Sequence, residues 1–234
     1  MAKVIAIVGY GPGVSNAVAD QFGEAGFAVA LIARSGERTK AGVSALKAKG
    51  VTAAAYQANA GDAAEIRAVM RKVHDDLGPI TAILWNAFGG REAGDILVTD
   101  PKVVAGVYDV AIVGLLSAVQ EALPDLKAAG DGAVLITNGA MSDLNPAIDQ
   151  WAVGYGATGV ALANGAKAKL VGLLSARLKS EGVFVGEVTI AGAIKGTPTG
   201  DAESIEAAEV AGKFWDMYRT RSEMRMRVTD PRRG

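Results

Sequence analysis

The chain contains no cysteine and one histidine, His74. Disulfides, cysteine-ligated metal centres and thiol nucleophiles are therefore excluded, and a single imidazole cannot build a histidine cluster, so no metal site is expected. An excess of charge of one sign is missing too: 24 Lys and Arg stand against 25 Asp and Glu. Mixed along the chain, these charges offer no general attraction to nucleic acid or to an anionic membrane. No charged segment leading into a long apolar run opens the sequence, and no apolar stretch approaches the roughly 20 residues that cross a bilayer. The expectation is a cytoplasmic protein with no nucleic-acid and no membrane partner. What the chain has in quantity is apolar residues, 50% of 234, and 30 glycines. That length and hydrophobicity fit one domain over residues 1–234 with a large core, and no repeat or linker interrupts it.

Strand-like and helix-like segments alternate. Val4 to Val8 precedes a helix near Val14 to Ala25, Ala28 to Ala33 one near Glu37 to Lys49, and Thr52 to Gln57 one from about Asp62 to Leu77. Ile80 to Trp85 follows. Asp100-Pro101 then reads as an N-cap with proline in the first turn of a long helix ending before Gly130. Ala133 to Thr137, a helix near Val160 to Ser180, Val183 to Ile190, a helix near Ile205 to Arg219 and a short strand around Met224 to Val228 complete the series. The strands are uniform apolar runs without alternation, the pattern of strands covered on both faces. This predicts a doubly wound α/β fold of Rossmann type, with a mainly parallel seven-stranded sheet and helices on both faces. A short polar loop about 193–205 is placed beside the substrate, and the tail about 230–234 is expected to fray.

The turn Gly9-Tyr10-Gly11-Pro12-Gly13-Val14-Ser15 follows the first strand directly. A glycine-rich turn at a strand end lets a phosphate approach the backbone closely, and the helix after it directs its N-terminal dipole at the same point. Arg34 and Ser35 stand at the end of the second strand. In dinucleotide folds an acidic residue there binds the ribose 2′-hydroxyl, whereas an arginine accommodates a 2′-phosphate, so Arg34 argues for NADP over NAD.

Gly9 and Gly13 resemble the G-x-x-x-G-x-G turn of the short-chain dehydrogenase/reductase family, with Ser15 in the place of the last glycine. The resemblance extends along nearly the whole chain: Asn59-Ala60 at the adenine edge, Asn86-Ala87 like the family's N-A-G segment, and Ala191-Gly192 with Thr197 like its P-G-x-x-x-T loop. It implies that Gly9, Gly11, Gly13, Val14, Ser15, Arg34, Ser35, Asn59, Ala60, Asn86, Ala87 and Thr197 bind the cofactor. It also implies hydride transfer to or from a small carbonyl or alcohol, and a homodimer or homotetramer formed through the long helices near Pro101–Ala129 and Val160–Ser180.

The family's catalytic tyrosine and the lysine four residues later are missing: the residues four places after the five tyrosines are Val14, Ala60, Ile112, Gly159 and Ser222. Ungapped counting puts Val160 at the tyrosine position and Asn164 at the lysine position, with Ala111 replacing the relay asparagine and Asn138 standing where the carbonyl-orienting serine belongs. Tyr155 is expected to fold back as proton donor, assisted by Asn138, Asn164 and Lys167. In the competing reading Tyr155 is a loop aromatic, Lys167 is solvated and the chain is a catalytically silent NADP-binding sensor or scaffold. A different reaction on the same scaffold is a third reading.

Overall fold

The computed structural model describes residues 2–233. The chain runs β1 (Val4–Val8), α1 (Val14–Glu24), β2 (Ala28–Ala33), α2 (Gly36–Ala48), β3 (Ala53–Gln57), α3 (Ala63–Leu77), β4 (Ile80–Trp85), α4 (Pro101–Tyr108), a π-helical segment (Asp109–Gly114) and α5 (Leu115–Ala128). It continues with β5 (Ala133–Gly139), α6 (Pro146–Gly154), α7 (Thr158–Leu178), β6 (Phe184–Ala191), α8 (Ala207–Thr220) and β7 (Arg225–Thr229). One seven-stranded sheet forms in the order β3-β2-β1-β4-β5-β6-β7, with every pairing parallel.

The uniform strands have the expected cause. Ala6, Val8, Ala30, Ile32, Val134 and Ile136 bury one face beneath α3, α5 and α7. Their neighbours Ile5, Ile7, Val29, Leu31, Ala133 and Leu135 bury the other beneath α1, α2 and α8. Phe22 and Phe214 are fully buried on the second face, each contributing up to about 3 kcal/mol through removal from water. Strand order reverses between β1 and β4, the point where the C-terminal strand ends open a crevice for a ligand.

The structure corrects four expectations. Residues 146–154 form α6, capped by Asn145, whose side chain accepts a hydrogen bond from the Ala147 amide, so no loop approaches Tyr155. The long helix contains a π segment at Asp109–Gly114, where Gly114 lies against the Ala60 carbonyl so closely that a Cβ would collide with it. With that segment, Pro101–Ala128 forms 28 helical residues containing an 18-residue stretch of mean hydropathy 1.8, which by length and composition is enough to cross a membrane. Its apolar face, including Leu115, Ala118, Val119, Ala122 and Leu126, is buried in the core beneath the sheet. The tail is anchored: Asp230 is buried, its amide donates to the Ala191 carbonyl, and Arg232 pairs with Asp201 and Asp230. Gly234, the end of the tail expected to fray, lies outside the described residues.

Candidate active site

Two cavities meet at the C-terminal ends of β1 and β4. The larger, about 720 Å³, runs from Gly9, Tyr10 and Gly11 past Asn59 and Ala60 to Arg34, Ser35 and Arg38. The smaller, about 360 Å³, runs from Pro12 and Val14 past Thr137, Asn138, Asn164 and Lys167 to Ile194, Thr197 and Thr199. Asn86, Ala87, Phe88 and Arg91 line both, so the two form one elongated crevice.

The turn between β1 and α1 is built for close approach. Gly9 has φ +86°, and a Cβ there would fall about 2.5 Å from the Ala87 Cα, while the Asn86 side-chain amide donates to the Gly9 carbonyl. Gly13, φ 90°, caps α1 without any side-chain acceptor, leaving the first-turn amides directed into the crevice. Ser15 is fully buried. Its hydroxyl accepts from the Gly11 amide at 2.9 Å and donates to the Gly11 carbonyl at 3.0 Å, so it closes the turn and is not itself a phosphate ligand. Asn59 likewise shapes its own turn, accepting from the Gly61 amide. Ser35 caps α2 by accepting from the Arg38 amide. Arg38, one turn into α2, joins Arg34 at this end of the crevice; the sequence reading missed it, although a cation three residues after the Ser35 cap was a visible signal.

These features fit a dinucleotide: helix-start amides suit a pyrophosphate, the end with Arg34, Ser35 and Arg38 offers cationic and hydroxyl groups, and an open slot lies past Asn86. Thr197 lies at that far end, with its hydroxyl bonded to the Ile194 carbonyl at 2.6 Å.

The chemistry at the slot differs from the expectation. Tyr155 does not reach it: the residue caps the end of α6, is 72% exposed and packs edge-on against Trp151 with ring centroids 5.5 Å apart. The slack before Val160 is taken up by that helix end and by the start of α7 at Thr158. Asn138 lines the slot, but its amide nitrogen donates to the Asn164 carbonyl and to Glu187 Oε1, both at 3.1 Å. With both hydrogens committed, Asn138 cannot orient a carbonyl and instead ties β5 to α7. Asn164 is 5% exposed; its side chain packs against Gly139, where a Cβ would meet the amide nitrogen at 2.7 Å. The buried Thr137 hydroxyl has no hydrogen-bond partner among the described residues. Lys167 is not solvated. It is 5% exposed and lines the slot from α7, and burial pushes its ammonium down to about 8, with Glu187 opposing the shift.

Trp215 belongs to the opposite side of the sheet, stacked on Tyr218 with centroids 5.7 Å apart. Arg91 is at the crevice, its guanidinium 5.4 Å from the Phe88 ring. Among the described residues no three His, Asp or Glu side chains converge on a metal-sized site.

Comparison with known proteins agrees with this architecture. The family profile described as short chain dehydrogenase matches residues 3–201. The 3-oxoacyl-[acyl-carrier-protein] reductase FabG of Staphylococcus aureus (strain Mu50) is 30% identical over 136 residues, 58% of this chain and 55% of that protein. The chain thus spans about half the length of that curated relative. The NADPH-bound short chain oxidoreductase from Pseudomonas aeruginosa PAO1, described as containing an atypical catalytic center, has a TM-score of 0.85 at 19% identity, with 98% of this chain and 96% of that one covered. A metagenomic short-chain oxidoreductase in complex with NADP has a TM-score of 0.81 at 18% identity, with 97% and 96% covered. At such identities the likeness is one of fold. The family match spans most of the chain, and together with the all-parallel sheet and the glycine turn it assigns the protein: this chain belongs to the short chain dehydrogenase family.

Proposed function

We propose that the chain is an NADP-dependent oxidoreductase acting on a small carbonyl or alcohol, with Lys167 doing the proton work that a tyrosine does elsewhere in the family. The observation that carries this reading is the Lys167 ammonium, buried yet lining the same slot as Asn164. A buried amine brought to about 8 is matched to proton transfer near neutral pH, where an ordinary lysine holds its proton too tightly.

Bound nicotinamide supplies the hydride, from its C4 carbon. In the reduction direction, Asn164 holds the carbonyl oxygen in the slot. The Lys167 ammonium then transfers a proton to that oxygen as it gains alkoxide character, leaving a neutral amine and an alcohol; in oxidation the neutral amine takes the proton back. Apolar Val14, Ile190 and Ile194 along the slot limit water around these groups. Preference for NADP is supported by Arg34, Ser35 and Arg38 at the far end of the crevice, and by the NADPH and NADP bound to the two solved relatives. A cytoplasmic setting and self-association through the Pro101–Ala128 and Thr158–Leu178 helices belong to the same proposal.

The test is NADPH oxidation against a panel of small aldehydes, ketones and keto acids. Turnover abolished by Lys167→Met and retained by Tyr155→Phe is the expected result. Tight NADPH binding with no turnover of any member would instead favour a sensor or scaffold, the reading motivated by the missing tyrosine and lysine pair.

A further inference from the structure

Strand β6 carries an acidic residue in an otherwise apolar run, Val185-Gly186-Glu187-Val188. Glu187 is 1% exposed and does not line the crevice. Its Oε1 accepts hydrogen bonds from the Asn138 amide and the Thr189 hydroxyl, both at 3.1 Å. Oε2 has no hydrogen-bond partner among the described residues; the Arg225 guanidinium stands 3.7 Å from it, beyond hydrogen-bonding reach. A carboxylate this deeply buried and incompletely satisfied is costly to keep, and the fold offers it no purely apolar role.

Position explains it. Side chains of β5 and β6 alternate, and Asn138 and Glu187 both point to the α7 face. The Asn138 amide continues from Glu187 to the Asn164 carbonyl, which lies one turn of α7 before Lys167. Glu187 is therefore linked to the helix by two hydrogen bonds in series and to Lys167 by charge.

Resting on the function proposed above, we propose that Glu187 is a positioning residue of the active site: it fixes α7 against β5 through Asn138 and supplies the buried counter-charge for the Lys167 ammonium. The attraction between Glu187 and Lys167 opposes the effect of burial on the ammonium, so the carboxylate favours the proton-donating form. Other charged groups around Lys167 are Arg91, which lines the same slot, and Arg225 of β7, which also donates to the Ala168 carbonyl. The strand end of β5 and the turn at Ala140–Ser142 contribute only neutral groups. The α4 and π-helical side contributes Tyr108 and Asp109 and α6 contributes Asp149, none of them lining the slot; Lys179 and Glu181 stand beyond the far end of α7.

Glu187→Gln keeps an oxygen to accept from Asn138 and Thr189 but removes the charge, and Thr189→Val removes one hydrogen bond but keeps it. The measurement is the titration of Lys167 by NMR of lysine-labelled, NADPH-bound protein, assigned by the signal lost in Lys167→Met. Glu187→Gln is expected to lower the Lys167 midpoint at least about tenfold in proton affinity. The loss of reductase turnover at high pH should move to lower pH by the same factor, with KM changed less than about twofold. Thr189→Val and Glu187→Asp, which retain the charge, should leave the midpoint near the wild-type value; if Glu187→Gln does not fold, a raised midpoint in Arg225→Met, which withdraws the cation that shares the Glu187 charge, carries the same conclusion, and an unchanged one there overturns it. An unchanged Lys167 midpoint in folded Glu187→Gln overturns the proposal. A lowered midpoint in a protein that turns over no carbonyl supports the pairing of Glu187 with Lys167 and retires the catalytic reading alone.

Discussion

Replacing Lys167 with methionine should make the protein more stable and less active together. Methionine keeps the length and apolar stem of the side chain but removes the ammonium that burial disfavours. The ordinary lysine value is 10.5 and the folded value about 8. Between these values the native state binds fewer protons than the unfolded chain, so stability rises with pH across that window and the charged ammonium is a burden below it. The gap between the two values corresponds to about 3 kcal/mol near pH 7, falling to about 1.5 kcal/mol near pH 9.5 as the native lysine loses its proton. Urea unfolding of wild type and Lys167→Met at both pH values checks this, with equal slopes required for the comparison. In the turnover assay the same variant should lose on the order of 10²- to 10⁴-fold in kcat, the usual contribution of a positioned acid. A variant less stable than wild type near pH 7, or a stability difference that does not shrink at the higher pH, would refute the reasoning.

Three further outcomes follow from the geometry. Arg34→Ala and Arg38→Ala should each weaken NADPH binding about tenfold, as loss of a charge-assisted contact does, and leave NADH binding nearly unchanged; fluorescence titration with the two cofactors decides, and equal losses for both would place the arginines elsewhere. Tyr155→Phe should retain kcat within about twofold, because the ring is exposed on the end of α6; a tenfold loss would return the tyrosine to the mechanism. Gly9→Ala should lower stability by at least about 2 kcal/mol, from a positive φ and a collision with the Ala87 backbone, seen as a lower urea midpoint.

The strands were legible because burial on both faces writes itself as continuous apolar runs, and β2 and β4 fall where the sequence puts them, at Ala28–Ala33 and Ile80–Trp85. Helix α6 was not, since nine residues with scattered apolar positions carry little periodicity, although Asn145-Pro146 was a start signal of the kind used for Asp100-Pro101. The π segment leaves no mark in residue spacing. At the site, the glycine-rich turn after β1 was readable as a local pattern. The roles of Tyr155, Asn138 and Lys167 were not, because each depends on which way a helix ends or a side chain turns across the sheet. Glu187 was visible as an acid inside an apolar strand, but its partners lie on β5 and α7, out of reach of any local pattern.

The reciprocal hydrogen bonds between Ser15 and Gly11 have a consequence for how firmly the cofactor is held. The Gly11 amide is committed to the serine hydroxyl, so the phosphate turn presents one backbone donor fewer than its glycine count suggests. Fixed amides at a helix start are shielded by the protein, whereas Arg34 and Arg38 are exposed, and interactions of exposed charges fade as dissolved ions accumulate, over about 10 Å at 0.1 M salt. On the proposed binding of NADPH, shifting recognition from backbone to guanidinium would make its affinity responsive to ionic strength, and the salt content of the solution would become a control on how much of the protein carries cofactor.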